Sequence, residues 1–202
     1  MGVVIFFIVI VFILWLRYEL KKSSRTLQNA NDKFWEREEL ANSTRKKSTD
    51  SLNYITISEK SLPFLEINDE IVAKCVSQLV FLKDKKILNL TGKTNTDLKL
   101  EYGAANLTFL SECDEHYTTL SRTLNTYSAR LYELGYEAEA CRVLEFAVET
   151  GSDSLSMYRL LAEIYAGRND ADSLEYLLFK ANQLDSMLKK SIVNDVSFRI
   201  SQ

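Results

Sequence analysis

The sequence predicts an all-α protein. One proline and six glycines in 202 residues are too few for the many turns of a sandwich or barrel. Apolar residues instead recur at helical spacing, and a hydrophobic fraction of 46% suffices for a packed core. We expect an anchor at residues 1–20, a juxtamembrane helical segment at 21–60, a helix plus irregular connector at 61–110, and helical hairpins with a C-terminal cap at 111–202.

The first segment predicts a transmembrane helix. Every residue from Gly2 to Leu16 is apolar, and Trp15 and Tyr18 stand where the run ends, as rings at the headgroup level do. The sequence therefore predicts a lipid bilayer contact through residues 2–16. No charge precedes the run and no small-residue cleavage site follows it, which disfavours a signal peptide. The basic residues that follow predict a single-pass protein of the cell membrane, with its N-terminus outside and its C-terminal domain cytoplasmic: Arg17, Lys21, Lys22 and Arg25.

The juxtamembrane segment predicts a helix that leaves the membrane. No proline or glycine occurs between Arg17 and Tyr54. Apolar side chains recur there every seven residues, at Leu20, Leu27, Phe34 and Ala41. A homodimeric coiled coil is one reading of this pattern. The positions three residues further on are largely polar, which favours a solvated helix.

The middle of the chain predicts one helix and a turn. Apolar spacing predicts a helix over about 68–82, just after Pro63, although its β-branched residues leave a strand as the alternative. Residues 91–95 predict a turn. Gly92-Lys93-Thr94 resembles the end of a phosphate-binding loop, but Ile87 stands where that loop needs a glycine.

Two helical hairpins are predicted in the last segment. The first pairs a stripe that ends at Gly135 with a stripe that ends at Gly151, and the second breaks at residues 167–170. The hairpins match at an offset of 34 residues: Leu124 with Tyr158, Tyr127 with Leu161, Ser128 with Ala162, Leu131 with Tyr165, Ala140 with Leu174, Leu144 with Leu178, and Ala147 with Ala181.

Thirty-four residues is the tetratricopeptide (TPR) period, and the order of large and small residues resembles that repeat. The proline that usually follows the second helix is absent, and Leu174 replaces a usually small residue. The resemblance implies an α-α superhelix, capped by the 67–82 helix and the tail from residue 187 to 200. An ordinary helical-hairpin domain with a coincidental period is the alternative.

The whole chain is similar to uncharacterised membrane-anchored TPR-type proteins of Gram-positive anaerobic bacteria. Three stretches carry this resemblance: FWEREELANSTRKKS, ILNLTGKTNTDLKLEYGAANL and RLYELGYEAEACRVLEFAVETGSD. It implies the same layout and no known activity.

Composition argues against several function classes. Residues 61–202 are net acidic and carry no basic stripe, so we expect no nucleic-acid partner. Cys75, Cys113 and Cys141 are widely spaced in apolar surroundings, which predicts buried thiols. His116 is the only histidine, so we expect no catalytic, cofactor-binding or metal site, and no enzyme. An enzyme that uses His116 is the least favoured alternative.

The favoured hypothesis is a protein-interaction scaffold at the cytoplasmic face, with one or more protein or peptide partners of unknown identity. The TPR resemblance implies binding on the face formed by the first helix of each hairpin. Five residues would line that groove: Arg122, Asn125, Thr126, Arg159 and Glu163. Both arginines could pair a partner's carboxylate. The main alternative is a structural membrane protein that self-assembles through the juxtamembrane helix.

Overall fold

The structure, a computed structural model, describes residues 2–201, with side chains from residue 6 onward. The described residues form eight α-helices and one 3-10 turn and include no strand, which confirms the predicted all-α class. The helices are α1 (Gly2–Ser43), α2 (Glu70–Lys83), α3 (Asn95–Tyr102), α4 (Leu107–Glu133), α5 (Glu137–Glu149), α6 (Leu155–Gly167), α7 (Ala171–Gln183) and α8 (Lys189–Ile200), and the 3-10 turn is Ala104–Asn106.

The chain divides into two compact units. The first joins the chain up to Ser48 with Thr94–Leu107, and the second joins Thr49–Lys93 with the chain from Thr108 onward. The first unit therefore holds α1 and α3. The second holds α2, α5 to α8 and all but the first residue of α4.

Polar contacts join α1 to α3 in the first unit. The Lys99 ammonium lies 2.9 Å from a Glu38 carboxylate oxygen, and the Thr96 hydroxyl donates to the same carboxylate. These contacts lower the pKa of Glu38, the Thr96 hydrogen bond most of all. Thr94 and Asp97 form a capping box that begins α3. The α3 helix is thus specified by its own cap and by α1.

A close backbone approach follows α3. Gly103 has a φ of 90°, and a Cβ added there would lie 2.4 Å from the carbonyl oxygen of Arg45. The Lys47 amide donates to the Tyr102 carbonyl at 3.0 Å, and the Asn106 side-chain amide donates to the Lys47 carbonyl at 2.8 Å. Only glycine meets both the left-handed φ and the lack of space.

The structure contradicts the predicted transmembrane anchor. Among the described residues, no helix is both long enough and apolar enough to cross a bilayer. The apolar run of the sequence, residues 2–16, is 15 residues long, short of the ~20 residues of a typical span. Charged residues begin at Arg17 and end the apolar run there, although the helix continues. The side chains of residues 2–5, the start of the predicted anchor, lie outside the described residues. The transmembrane assignment and the single-pass membrane localisation derived from it are therefore wrong.

The helix predicted beyond the anchor is confirmed as far as Ser43, because α1 runs without a break to that residue. Of its four heptad positions Leu20, Leu27 and Phe34 are exposed, whereas Ala41 is fully buried. Residues 44–54 are not helical.

One hydrophobic core holds the second unit together. It takes buried side chains from α2, from α4 to α8 and from the segment around Ile57 and Leu62. Among the largest buried side chains are Tyr127 and Tyr158. The Tyr127 hydroxyl donates to the Pro63 carbonyl at 3.0 Å, which ties the segment before α2 to α4.

Three turns end helices in the same way. Gly135, Gly151 and Asn169 each have positive φ directly after a helix's last turn. After each, the next amide reaches back five residues to a helical carbonyl, as in the 2.9 Å bond from Tyr136 to Leu131. This is the Schellman arrangement, which satisfies carbonyls that a helix end leaves free. The turns predicted at Gly135, Gly151 and residues 167–170 are confirmed.

Two helix boundaries differ from the prediction. The connector expected to be irregular contains α3, and α4 begins at Leu107 instead of near Ser111. The α3 helix is eight residues long, too short for apolar periodicity to show. The helix predicted at 68–82 is confirmed as α2, and its strand alternative is wrong. The β-branched residues of α2 are tolerated because its buried face, which includes Val72 and Leu79, packs into the core.

A partly buried ion pair between Asp69 and Arg130 holds the start of α2. Asp69 caps the helix by accepting from the amides of Ile71 and Val72, both at 3.0 Å. The Arg130 guanidinium of α4 donates to the other carboxylate oxygen of Asp69 at 2.7 and 3.1 Å. The Arg130 bond, followed by the amide bonds, lowers the pKa of Asp69.

We predict that Asp69→Asn destabilises the protein at pH 7 and that this difference shrinks in acid. A carboxyl whose pKa is lowered by folding stabilises the fold above its unfolded pKa, and this stabilisation is lost as the pH falls through the folded pKa. Urea midpoints of both proteins, measured by circular dichroism at pH 7 and at about pH 3, check this. Asp84→Asn, at the other end of α2, is the matched control. A difference that is equal at both pH values would contradict the pairing.

Candidate functional site

A polar cleft of about 330 Å³ lies along α4 in the second unit. Its wall is the α4 face that carries the predicted groove residues Arg122 and Asn125. The turn between α5 and α6 and the turn at Thr91 complete it. Its lining residues are Thr91, Asp114, Tyr117, Thr118, Ser121, Arg122, Asn125, Asp153 and Ser154.

The side chain of Asn89 connects two elements that form the cleft, α4 and the turn between α5 and α6. Its side-chain amide donates to the Tyr117 hydroxyl at 2.9 Å and to the carbonyls of Thr150 and Gly151, both at 3.0 Å. A Cβ on Gly151 would lie 2.8 Å from the same amide nitrogen, so the turn approaches Asn89 as closely as a backbone can. One side chain thereby holds α4 and the α5–α6 turn together.

Two carboxylates, those of Asp114 and Asp153, line the cleft. Each accepts a hydrogen bond through one of its two oxygens. The Leu90 amide donates to Asp114 Oδ1 at 3.2 Å, and the Ser186 hydroxyl donates to Asp153 Oδ2 at 2.6 Å. The Ser186 hydroxyl in turn accepts from the Leu188 amide. Within the described part of the chain, neither carboxylate forms an ion pair. Both remain able to accept further hydrogen bonds.

Two buried tyrosines, Tyr117 on the cleft lining and Tyr158 on α6, have hydroxyls with raised pKa values. Burial, followed by the charge of Asp153, raises the pKa of Tyr117 well above its usual range and that of Tyr158 to about 12. Tyr158 is fully buried, and its hydroxyl has no hydrogen-bond partner among the described residues. Buried hydroxyls nearly always have a partner. The Tyr158 hydroxyl is therefore an exception among the described residues.

The groove residues predicted on α4 lie at or near the cleft. Asn125 accepts from the Ser156 hydroxyl at 2.7 Å, and Ser156 also contacts Ser154 on the cleft lining. Thr126 is exposed, and its hydroxyl donates to the Arg122 carbonyl. Arg122 is exposed, and its guanidinium has no ion-pair partner within residues 6–201.

The groove residues predicted on α6, Arg159 and Glu163, contact side chains of α8. The Arg159 guanidinium donates two nitrogens to Asp195, the closest contacts being 2.8 and 3.1 Å. Glu163 lies 3.9 Å from the Arg199 guanidinium and accepts a long bond from Tyr132. The structure thus brings Arg122 and Asn125 together on one cleft, whereas Arg159 and Glu163 line the α6–α8 contact.

A smaller cleft of about 230 Å³ adjoins the first and shares Thr91 and Asp153 with it. Asp185 lines this second cleft, close to the backbone of Gly92. Asp153 therefore stands between the two clefts.

The other residues considered in the sequence are the histidine His116 and the three cysteines. The Nδ1 atom of the His116 ring lies 3.0 Å from the Lys86 carbonyl oxygen. All three cysteines are buried and free, as predicted, and burial raises the pKa of each thiol, that of Cys141 to about 12. In the part of the chain that the structure describes, no group of three or more His, Cys, Asp or Glu side chains could hold a metal ion.

Most of the cleft could not be found by sequence reasoning. Asn89, Asp114 and Asp153 come from three distant segments, and no sequence motif links them. A local signal existed only for the turn that carries Asp153, because Gly151 marks a helix end. Comparison with protein-family models, with curated proteins and with solved structures found no match to this chain.

We predict that Asn89→Ala destabilises the protein by roughly 1–3 kcal/mol, because it leaves a buried hydroxyl and two carbonyls without their donor. Urea unfolding followed by circular dichroism measures the change. Asn182→Ala is the control, since Asn182 is exposed and bonds only within its own helix among the described residues. Equal stability of the two variants would show that Asn89 does not hold the cleft together.

Proposed function

We propose that this chain is a protein-binding module whose α4 to α7 hairpins are of TPR type and whose α4 face receives a peptide segment of the partner. The observation that carries the proposal is the polar cleft on α4, lined by Arg122, which has no ion-pair partner among the described residues. No activity of the chain itself is needed for this role. The partner is recognised by chemistry that the cleft supplies.

The helix boundaries support the repeat. The ends of α4 and α6, at Glu133 and Gly167, differ by 34 positions, and so do the starts and ends of α5 and α7. The positive-φ residues of the two inter-helix turns, Gly135 and Asn169, differ by 34 as well. A period seen in both sequence pattern and backbone geometry favours a repeated unit over coincidence.

The buried positions support the repeat too. Ser128 and Ala162 have small side chains, are almost fully buried and lie 34 positions apart, where small residues let helices approach. Ala147 and Ala181 repeat this on the second helices. Of the seven aligned residue pairs, only Leu178 is not buried. Burial that recurs at an offset of 34 residues supports the proposed TPR-type repeat.

Arg122 is the best-placed residue to bind a partner. The neighbouring arginines Arg130 and Arg159 are each paired to carboxylates. Arg122 is exposed at the cleft and has no carboxylate partner within the described residues. A guanidinium can hold a partner's carboxylate by two parallel hydrogen bonds.

We predict that peptides selected from a random displayed library against the full chain bind Arg122→Glu at least about tenfold more weakly than the wild type, because a charge-assisted pair of ~1.5–3 kcal/mol is lost and a repulsion is added. Fluorescence anisotropy of the labelled peptides measures the affinities. Arg142→Glu, a charge reversal on exposed α5 surface, should change them little.

Two results would contradict the proposal. One is a selection that enriches no peptide over a blank surface. The other is a set of peptides that bind Arg122→Glu and wild type equally while both variants remain folded by circular dichroism.

A further inference from the structure

We infer that α1 pairs in parallel with the α1 helix of a second copy of this chain, through an apolar stripe that runs from Phe6 to Phe34. This surface belongs to the first unit, whereas the α4 cleft belongs to the second. The pairing therefore goes beyond the proposed function and does not depend on it.

Heptad spacing defines this α1 stripe. The sequence from Leu20 onward has only small or polar companions three residues on, whereas Phe6 and Ile13 are followed by Val9 and Leu16. Counted from Phe6, the stripe keeps the two inner positions of a coiled coil over four heptads, or about 42 Å of helix. Eight of its nine residues are apolar: Phe6, Val9, Ile13, Leu16, Leu20, Ser23, Leu27, Ala30 and Phe34.

Charged residues avoid the α1 stripe. In a parallel pair, the residue before each first inner position faces the residue five places further along the other helix. The one charged pair that this brings together is Lys33 with Glu38 of the second copy, and their charges are opposite. The seven charged residues between Leu16 and Phe34 all lie off the stripe: Arg17, Glu19, Lys21, Lys22, Arg25, Asp32 and Lys33.

The exposed area of the α1 stripe fits a helix pair. All nine positions are exposed, and the seven large side chains are 40–69% exposed. Together these seven leave roughly 700 Å² of apolar surface open per copy, which approaches the ~800 Å² per partner of a standard protein interface. A soluble chain rarely exposes that much continuous apolar surface unless it binds something there.

The distribution of charge along α1 sets the direction of the pair. From Phe6 to Leu16 the sequence has no charge, and the positions that flank the stripe there, Ile10 and Phe12, are apolar too. A parallel pair places these two uncharged segments against each other. An antiparallel pair would place each of them beside the charged stretch that begins at Arg17, so the parallel direction is favoured.

The side of α1 that carries the stripe already packs against a helix at its C-terminal end. Ala41, seven residues after Phe34, is fully buried. The neighbouring Glu38 forms an ion pair with Lys99 of α3 at 2.9 Å. A second copy of α1 would cover the exposed part of this side, as the fold covers Ala41.

Disulfide crosslinking of the full chain tests the pairing and its direction. Ile13→Cys and Leu27→Cys, made one at a time, should each give a disulfide-linked dimer under mild oxidation. An antiparallel pair could bring at most one of these positions next to its own copy. Arg25→Cys, on the opposite side of α1, is the matched control and should give no dimer. The three natural cysteines are buried and should give none either.

Analytical ultracentrifugation measures the strength of the pairing. We expect the wild-type chain to sediment with the mass of two chains at micromolar concentration. The double variant Leu20→Gln, Leu27→Gln should raise the dissociation constant at least about tenfold, because it removes two apolar layers from the contact. Tyr18→Gln, Arg25→Gln makes the same replacements on the opposite side and should leave it unchanged. All four side chains are exposed, so neither variant removes a buried contact within the chain.

A wild-type chain that sediments as a monomer or as more than two chains overturns the pairing. So does a dimer that the double variant does not weaken, or crosslinking that is as strong from position 25 as from positions 13 and 27. A monomer that co-sediments with phosphatidylcholine vesicles would show that lipid covers the α1 stripe, and it would overturn the pairing as well.

Discussion

The side-chain amide of Asn89 is the contact on which the rest of the second unit's polar architecture depends. Its two hydrogens are shared among a tyrosine of α4 and two carbonyls of the α5–α6 turn. The turn can come so close only because Gly151 has no side chain. The segment that carries Asn89 lies outside the helices, so a single non-helical residue fixes the position of one helix and one turn.

The position of Asp153 and the burial of Tyr117 follow from that contact. Asp153 comes two residues after Gly151 and is held from the other side by Ser186. Tyr117 is buried against the Asn89 amide and loses solvent, which raises its pKa. Two carboxylates, one phenol and a guanidinium thus line one small cleft. Each of these polar groups costs free energy to bury unless it forms hydrogen bonds.

The hairpins of the second unit could be predicted from the sequence because their determinants are local. Small residues such as Ser128 and Ala162 mark helix crossings, and Gly135 and Gly151 mark turns. Asn169 shows that the same turn geometry can be reached without glycine. The only sequence feature that predicted this turn was the break in apolar periodicity around it. The α3 helix escaped prediction because eight residues are too few to show a period, although the Thr94–Asp97 cap was present in the sequence.

The predicted membrane span is wrong, and the predicted groove residues lie in more than one place. The apolar run at the start of α1 predicted a membrane span, whereas no helix of the described residues meets the requirements of one. Of the five predicted groove residues, only Arg122 and Asn125 line the cleft, since Arg159 and Glu163 meet α8. The cleft's carboxylates come from segments distant in sequence, and one sequence contains no signal that brings them together.

The central claim is that the α4 cleft receives a partner segment, and photo-crosslinking from defined positions tests it most directly. A benzoyl-phenylalanine placed at Thr118, on the cleft, or at Tyr176, on the exposed face of α7, would be irradiated with a labelled peptide selected against the wild-type chain. The account predicts a covalent adduct from position 118 that excess unlabelled peptide prevents, and none from position 176. An adduct from position 176 alone would place the binding surface elsewhere and contradict the account.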